Sequence, residues 1–214
     1  MFQAQLKKSI LELPPFAKNS YNSRMEKTAP FEKTANWISH IQIRHLRVED
    51  LPGLEWDGEY THFRRLFSDA WQRMERGLAV HWVIDLPGVG ILGQVFIQLI
   101  CDRPELADGV RRAYLFSFRI RETYRNHGLG TLLLKKVEDD LRARYFHSVT
   151  LNVAKDNYAA QRLYQRHGYF IVAHEPGIWS YPDADGVWHK MVEPAWRMEK
   201  FLALNHFDTG RTIE

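Results

Sequence analysis

Apolar and polar positions along this chain alternate in two distinct periods, and together they predict a domain that mixes strands with helices. Tyr114, Phe116, Phe118 and Ile120 alternate with Leu115, Ser117, Arg119 and Arg121, the period of two that marks a strand with two different faces. A glycine-bearing turn, residues 125–130, follows. Leu132, Leu133, Val137 and Leu141 then recur at helical spacing, with Lys135, Lys136, Glu138 and Asp139 mostly on the other side. Upstream, Ile41 and Ile43 alternate with Gln42 and Arg44 as a first strand, and residues 49–54 suit one helical turn that stops early. Phe63, Leu66, Phe67, Ala70, Trp71 and Met74 form a helical stripe over residues 60–76, closed by Gly77. Residues 79–84 and 91–101 read as strands joined by a hairpin turn over 85–90.

Downstream, Val149, Leu151 and Val153 mark a strand over residues 148–154, and a short helix over 156–168 ends at Gly168. Residues 170–173 and 195–201 read as closing strands, with 174–193 between them a loop or hairpin tip rich in aromatic residues, Pro and Asp. Two strand–helix–strand units demand parallel neighbours while the hairpins demand antiparallel ones. A mixed sheet of the α/β (α+β) class, with helices on its faces, follows.

The length of 214 residues suits one domain with an extension, and 45 % hydrophobic with 26 % charged residues is ordinary globular composition. Charge changes the picture. Residues 1–36 hold six Lys/Arg against three Asp/Glu, so the rest of the chain, with 23 of each sign, is neutral. The basic excess belongs to a polar, proline-containing segment without sustained period, read as a flexible N-terminal arm ahead of a domain over residues 37–214. A neutral domain argues against a nucleic-acid partner. The single cysteine, Cys101, excludes an intrachain disulfide, fits a reducing compartment and, after a hydrophobic run, reads as a buried structural thiol. The longest apolar run, residues 91–100, is broken by Gly93, Gln94 and Gln98, too short to span a membrane, and no signal peptide is apparent. The expectation is a cytoplasmic protein without a membrane partner.

Candidate chemistry begins at the turn. A strand feeding glycines into a helix start aims several unpaired N–H groups and the positive dipole end at one spot, which suits a phosphate or pyrophosphate. The dinucleotide fingerprint fails here because position 133 is Leu rather than a third glycine, and a Walker loop fails because Thr131 and Leu132 follow Gly130 where Lys is needed. What stands is R-x-x-G-x-G, from Arg125 to Gly130, after a strand. A second pattern follows one strand later, N-x-x-A-x-x-L-Y-x-x-x-G-[FY], filled by Asn157, Ala160, Leu163, Tyr164, Gly168 and Tyr169. Asn157 and Tyr164, seven apart, lie two turns apart on nearly the same helix face.

These two motifs, in this order, resemble the signatures of the GNAT superfamily of N-acyltransferases, over roughly residues 40–202. The resemblance implies a mostly antiparallel sheet with helices on both faces and acetyl-CoA as co-substrate. It also implies that backbone N–H groups of Arg125, Asn126, His127, Gly128, Leu129 and Gly130, with Thr131 opening the helix, hold the CoA pyrophosphate. The stretch Phe118, Arg119 and Ile120 is implied to splay from the next strand so that pantetheine pairs with its backbone. Asn157 is implied to bond the pantetheine arm, and Tyr164 to donate a proton to the departing thiolate. Arg121 and Arg125 either add charge near the phosphates or are solvated surface groups. Where relatives often carry Pro and Gly around the Arg, this chain has Glu122 and Asn126; Asn tolerates a positive φ, so the loop survives the change.

Relatives often place a carboxylate base on the central strand, and residues 114–120 contain none. Glu55, Asp57, Glu59 and His81 are the candidates, each with a surface or structural alternative, and a water chain is another route. The ten histidines form no ligand-spaced cluster, so no metal is expected. The reading is an acetyl-CoA-dependent N-acetyltransferase acting on a small-molecule or peptide amine, with a homodimer possible. The aromatic segments 54–67 and 175–188 wall the acceptor side, unless Trp56, Tyr60, Trp179, Tyr181 and Trp188 there are packing alone. The alternative is a catalytically silent acyl-CoA-binding module of the same fold.

Overall fold

A computed structural model of the chain describes residues 37–203; the expected arm over 1–36 lies outside the described residues. Within that span the strands are β1 (Gln42–His45), β2 (Ala79–Leu86), β3 (Gly90–Gln98), β4 (Arg112–Ile120), β5 (Ser148–Ala154), β6 (Phe170–Glu175), β7 (Ile178–Pro182), β8 (Trp188–Val192) and β9 (Ala195–Phe201). The α-helices are α1 (Arg64–Glu75), α2 (Leu129–Ala143) and α3 (Tyr158–Arg166). Seven strands form one sheet in the order β1-β2-β3-β4-β5-β9-β6, and β7 pairs with β8 in a separate ribbon. Every pairing is antiparallel except β4 with β5.

The faces of the sheet follow from its contacts. α1 covers one face: Phe67 and Ala70 share a core with Leu46, Leu51, Leu54, Val83, Ile91 and Phe96. α2 covers the other, where Leu133, Leu134, Val137 and Leu141 are buried and the Lys136 ammonium lies 4.7 Å above the Trp82 ring. β2 and β3 lie in the middle with both faces covered, and nearly every residue in them is buried. That is why apolar residues in them occupy both faces instead of alternating with polar ones.

Three expectations change in detail. Residues 49–54 extend to a 3-10 helix, Val48–Glu55, anchored where Arg44 grips Asp50 (2.6 and 2.8 Å) and Asp85 (2.8 Å). The stretch 174–193 is not only a loop: β6 runs on to Glu175, and β7 and β8 form a ribbon whose turn is held by Asp183, which accepts from the N–H of Asp185 and Val187 (3.0 and 2.9 Å). Gly177, at φ 65°, admits no other residue, because a Cβ there meets the Glu193 carbonyl. Cys101 is half-buried, and its thiol donates to the Arg103 carbonyl (3.2 Å).

His81 sits in the α1-side core with no exposure, Nε2 at 2.9 Å from the Ala70 carbonyl and Nδ1 without a partner. Burial is the main cause that pulls its pKa from 6.5 down to about 4. The unfolded chain therefore takes up the proton first, so stability is complete above the unfolded pKa and is lost as pH falls from about 6.5 toward 4. Urea titrations of wild type and His81→Gln at pH 7 and pH 4.5 should reveal this: the wild type loses about 2–3 kcal/mol more than the variant on acidification. Equal losses would mean that His81 is not held neutral.

Candidate active site

Everything at this site turns on a fault in β4. β3 and β4 pair Gln94↔Arg119 and Phe96↔Phe116, so two residues of β4, Ser117 and Phe118, oppose Val95 alone. Ser117 takes a left-handed φ of 51°, and Gln94 Nε2 donates to its hydroxyl at 3.1 Å. This is a β-bulge, and because side chains alternate with period two, one extra residue reverses every face beyond it. The alternation read from the sequence holds only to Phe116. Phe116 lies against the α1-side core, with Phe96 5.7 Å away. Phe118 instead turns toward α2 and α3: its ring lies 6.1 Å from that of Tyr164 and would touch a Cβ placed on Gly130. Arg119, expected opposite Phe116, lies on the α1 side among Tyr60, Trp56 and Phe67.

The bulge coincides with the opening of the sheet. β4 and β5 pair from Arg112↔Ser148 to Leu115↔Leu151 and no further, although β4 continues to Ile120 and β5 to Ala154. A wedge with free parallel edges therefore opens between residues 116–120 and 152–154. At its wide end β4 passes through a short 3-10 turn, Glu122–Tyr124, into the loop before α2. Asn126 (φ 63°) and Gly128 (φ 81°) take left-handed backbone there, as the loop requires of its non-glycine member. Arg125 Nε donates to the Ile120 carbonyl (3.1 Å), tying the loop to the end of β4, and His127 Nδ1 lies 2.7 Å from the Arg125 carbonyl. The first intrahelical bond of α2 runs from Leu132 N–H to the Gly128 carbonyl (3.1 Å), so the N–H groups of Leu129, Gly130 and Thr131 have no helical acceptor. They point with the helix dipole to the mouth of the wedge, which fits a phosphate group. Arg121 turns the other way, to Asp57 (3.2 Å).

α3 closes the opposite side. Asn157 caps it, accepting from Ala160 N–H at 3.1 Å, and Gln161 Nε2 ties it to the end of β5 through the carbonyls of Ala154 and Lys155 (2.9 and 3.0 Å). Asn157 is exposed, and capping uses its oxygen while its amide nitrogen keeps its donors. Tyr164 is buried and packed edge-on to Tyr169 (5.6 Å). Burial, with the neighbouring Tyr114 adding to it, drives its pKa well above the usual phenol range, so it keeps its proton. Asn152, in the part of β5 that has parted from β4, leaves its Oδ1 buried without a partner.

On the α1 side the predicted aromatic segments meet. Phe63 lies 4.8 Å from Tyr181 and 6.3 Å from Trp179, and Tyr181 stacks on His189 (5.2 Å), whose Nε2 bonds Asp183 (2.6 Å). Arg119 sits beneath this wall, its Cζ 3.9 Å from the Tyr60 centroid and 5.4 Å from that of Trp56. Its Nε, Nη1 and Nη2 are each buried without a hydrogen-bond partner. Burial pulls its pKa below the ordinary value, against the smaller opposing influence of Tyr60 and Glu59. A buried unpaired donor costs about 1–3 kcal/mol, and more when charged.

The candidate bases fare differently. Glu55 is bound by Arg64 (2.6 and 2.8 Å) and Thr61 (3.1 Å), with its pKa lowered chiefly by Arg64. Asp57 is exposed and pairs with Arg121, Glu59 is exposed, and His81 is enclosed behind α1. Among the described residues no group of three His, Cys, Asp or Glu side chains is placed to hold a metal ion, and no helix is long and apolar enough to cross a membrane.

The loop, Asn157 and Tyr164 named from the sequence lie around the wedge, whereas the bulge at Ser117, its contact with Gln94, the buried Asn152 oxygen and the placement of the Arg119 side chain were not read from it. A visible signal was Gln94, polar inside a run that is otherwise buried.

Residues 41–169 match the model of the acetyltransferase (GNAT) family. Comparison with curated proteins gave no significant match. Among solved structures, the ribosomal-protein-S18-alanine N-acetyltransferase of Escherichia coli is 21 % identical, covering 81 % of this chain and 99 % of its own, with a TM-score of 0.57. Ard1 of Thermoplasma volcanium is 19 % identical over 77 % of this chain and 99 % of its own (TM-score 0.58). Spermidine N-acetyltransferase of Vibrio cholerae, solved with CoA and spermine, is 17 % identical over 78 % and 98 % (TM-score 0.56).

Since Ser117 holds left-handed backbone, Ser117→Gly should keep the bulge, whereas the β-branched Ser117→Val should lower unfolding stability by about 1–3 kcal/mol. Denaturant midpoints of the three proteins check this. A valine variant as stable as wild type would contradict it.

Proposed function

The chain belongs to the GNAT acetyltransferase family, and we propose that it is an N-acetyltransferase carrying an acetyl group from acetyl-CoA to a primary amine by direct attack in a ternary complex. The observation that carries this reading is the wedge: β4 and β5 part after Leu115↔Leu151, with the free N–H groups of Leu129, Gly130 and Thr131 at its mouth and the buried Tyr164 at its side. The fold neighbours support an amine acceptor, being named for the alanine of ribosomal protein S18 and for spermidine.

In this reading the loop residues Arg125, Asn126, His127, Gly128, Leu129, Gly130 and Thr131 bind the pyrophosphate through backbone N–H groups. Phe118, Arg119 and Ile120 offer the unpaired backbone edge of β4 to pantetheine, and Asn157 offers its amide N–H from the rim of α3. Bound acetyl-CoA supplies the thioester. An N–H of the β4 edge near Phe118 polarises its carbonyl, and the amine reaches it from the α1 side. As the N–C bond forms and the C–S bond breaks, Tyr164, held protonated by its burial, donates to sulfur, and the proton lost from the amine nitrogen leaves to solvent water.

A second reading, a silent acyl-CoA-binding module, is favoured by one observation: Glu55 is engaged by Arg64 and His81 is enclosed, which leaves only the exposed Asp57 and Glu59 of the four candidate bases. Thiol release from acetyl-CoA across a panel of amines separates the two. Turnover should fall at least tenfold in Tyr164→Phe, in the lower part of the roughly 10²–10⁴-fold range of general acid–base catalysis. Folding stability should change by less than about 1 kcal/mol, because the ring and its packing are kept. Tight acetyl-CoA binding without turnover on any amine would select the binding module, and no binding would remove the pyrophosphate assignment.

A further inference from the structure

The α1 side of the wedge contains a charge that the chain itself does not neutralise. The bulge at Ser117 turns Arg119 out of the face its sequence position implies and sets it under Tyr60, Trp56, Phe63 and Phe67, with ring centroids 3.9 to 5.9 Å from Cζ. Aromatic faces attract a cation but provide no lone pair to its N–H groups. All three guanidinium nitrogens are buried and lack a well-formed hydrogen bond, the Tyr60 hydroxyl offering only a partial one. The carboxylates of this region are held elsewhere: Glu55 by Arg64, Asp57 by Arg121 and Asp183 by His189. Glu59 is exposed and acts on Arg119 only through space.

We infer that the acceptor amine also carries a carboxylate and that Arg119 selects it, which makes the substrate class amino acids and excludes wholly cationic amines such as polyamines. This rests on the reading of the site as an amine acetyltransferase. A guanidinium stacked on a ring keeps only its in-plane edge for hydrogen bonds, and that edge presents two parallel N–H groups matched to the two oxygens of a carboxylate. A polycation entering the same space meets Arg119 and, also near Trp56, Arg121, whose Cζ is 5.7 Å from that ring. Admitting the carboxylate requires the Tyr60 ring to rotate off the guanidinium. Tyr60 follows a turn, residues 56–58, in which all three residues have left-handed backbone (φ 45°, 62° and 99°), so it is held by a loop and not by the sheet.

The test compares kcat/KM for matched acceptors: an amino acid, its carboxamide, the decarboxylated amine, the aminophosphonate of equal length, and spermidine. Each is assayed with wild type, Arg119→Lys and Arg119→Met, with CoA affinity measured to verify that each variant's loop is intact. Wild type should prefer the amino acid to its carboxamide and to spermidine by at least tenfold. Arg119→Met should bring that ratio to near one, and Arg119→Lys should leave an intermediate preference. Equal use of acid and amide, preference for spermidine or the phosphonate, or an unchanged ratio in Arg119→Met would overturn the inference. If no amine is turned over, calorimetric titration of the CoA-saturated protein with the same compounds decides separately. Tighter binding of the amino acid that Arg119→Met abolishes upholds Arg119 as the carboxylate site even as the enzyme reading falls, and binding without that preference refutes it.

Discussion

One residue out of register in β4 organises both halves of the site. Without the extra residue at Ser117, Phe116, Phe118 and Ile120 would share a face, Arg119 would point toward α2, and no change of face would occur where β4 leaves β5. With it, Phe118 reaches Tyr164, Arg119 reaches the aromatic wall, and the backbone edge beyond Leu115 is left without a strand partner. The distortion is held by Gln94, which donates to the Ser117 hydroxyl while its own Oε1 stays buried and unpaired. A buried amide with an unsatisfied oxygen is a cost in the middle of a sheet, and it stands beside the wedge that the proposed chemistry uses.

The two sides of the wedge use different physics. On the α2 side the proposed ligand groups are backbone: helix-start N–H groups and a free strand edge, which depend on glycine and chain geometry more than on side-chain identity. On the α1 side they are side chains, an arginine and several rings, whose identity sets what is admitted. Family membership therefore informs the first side much more than the second.

The sequence made the backbone side legible. Residues 125–130 and 156–168 announced a loop, a helix start and a short helix ended by glycine, and the structure has each of them there. The α1-side stripe from Phe63 to Met74 and the largely apolar strands β2 and β3 were equally readable, because burial on one face or on both dictates their periods. What could not be read was the bulge, since Tyr114 to Arg121 alternates without a break and nothing local shows that Ser117 and Phe118 together oppose one residue of β3. Arg119 was misplaced for the same reason. The β7–β8 ribbon was only a loop or hairpin tip in the sequence, because Ile178, Val187, Trp188 and Val192 remain exposed and no core imposes alternation on them.

Amide hydrogen exchange with and without acetyl-CoA tests most directly the claim that the wedge between β4 and β5 is the CoA site. Exchange should slow at Leu129, Gly130 and Thr131, whose N–H groups have no helical acceptor, and along residues 118–120 and 152–154, where the strands have parted. Binding of acetyl-CoA that leaves those segments unchanged while protecting others would contradict the account.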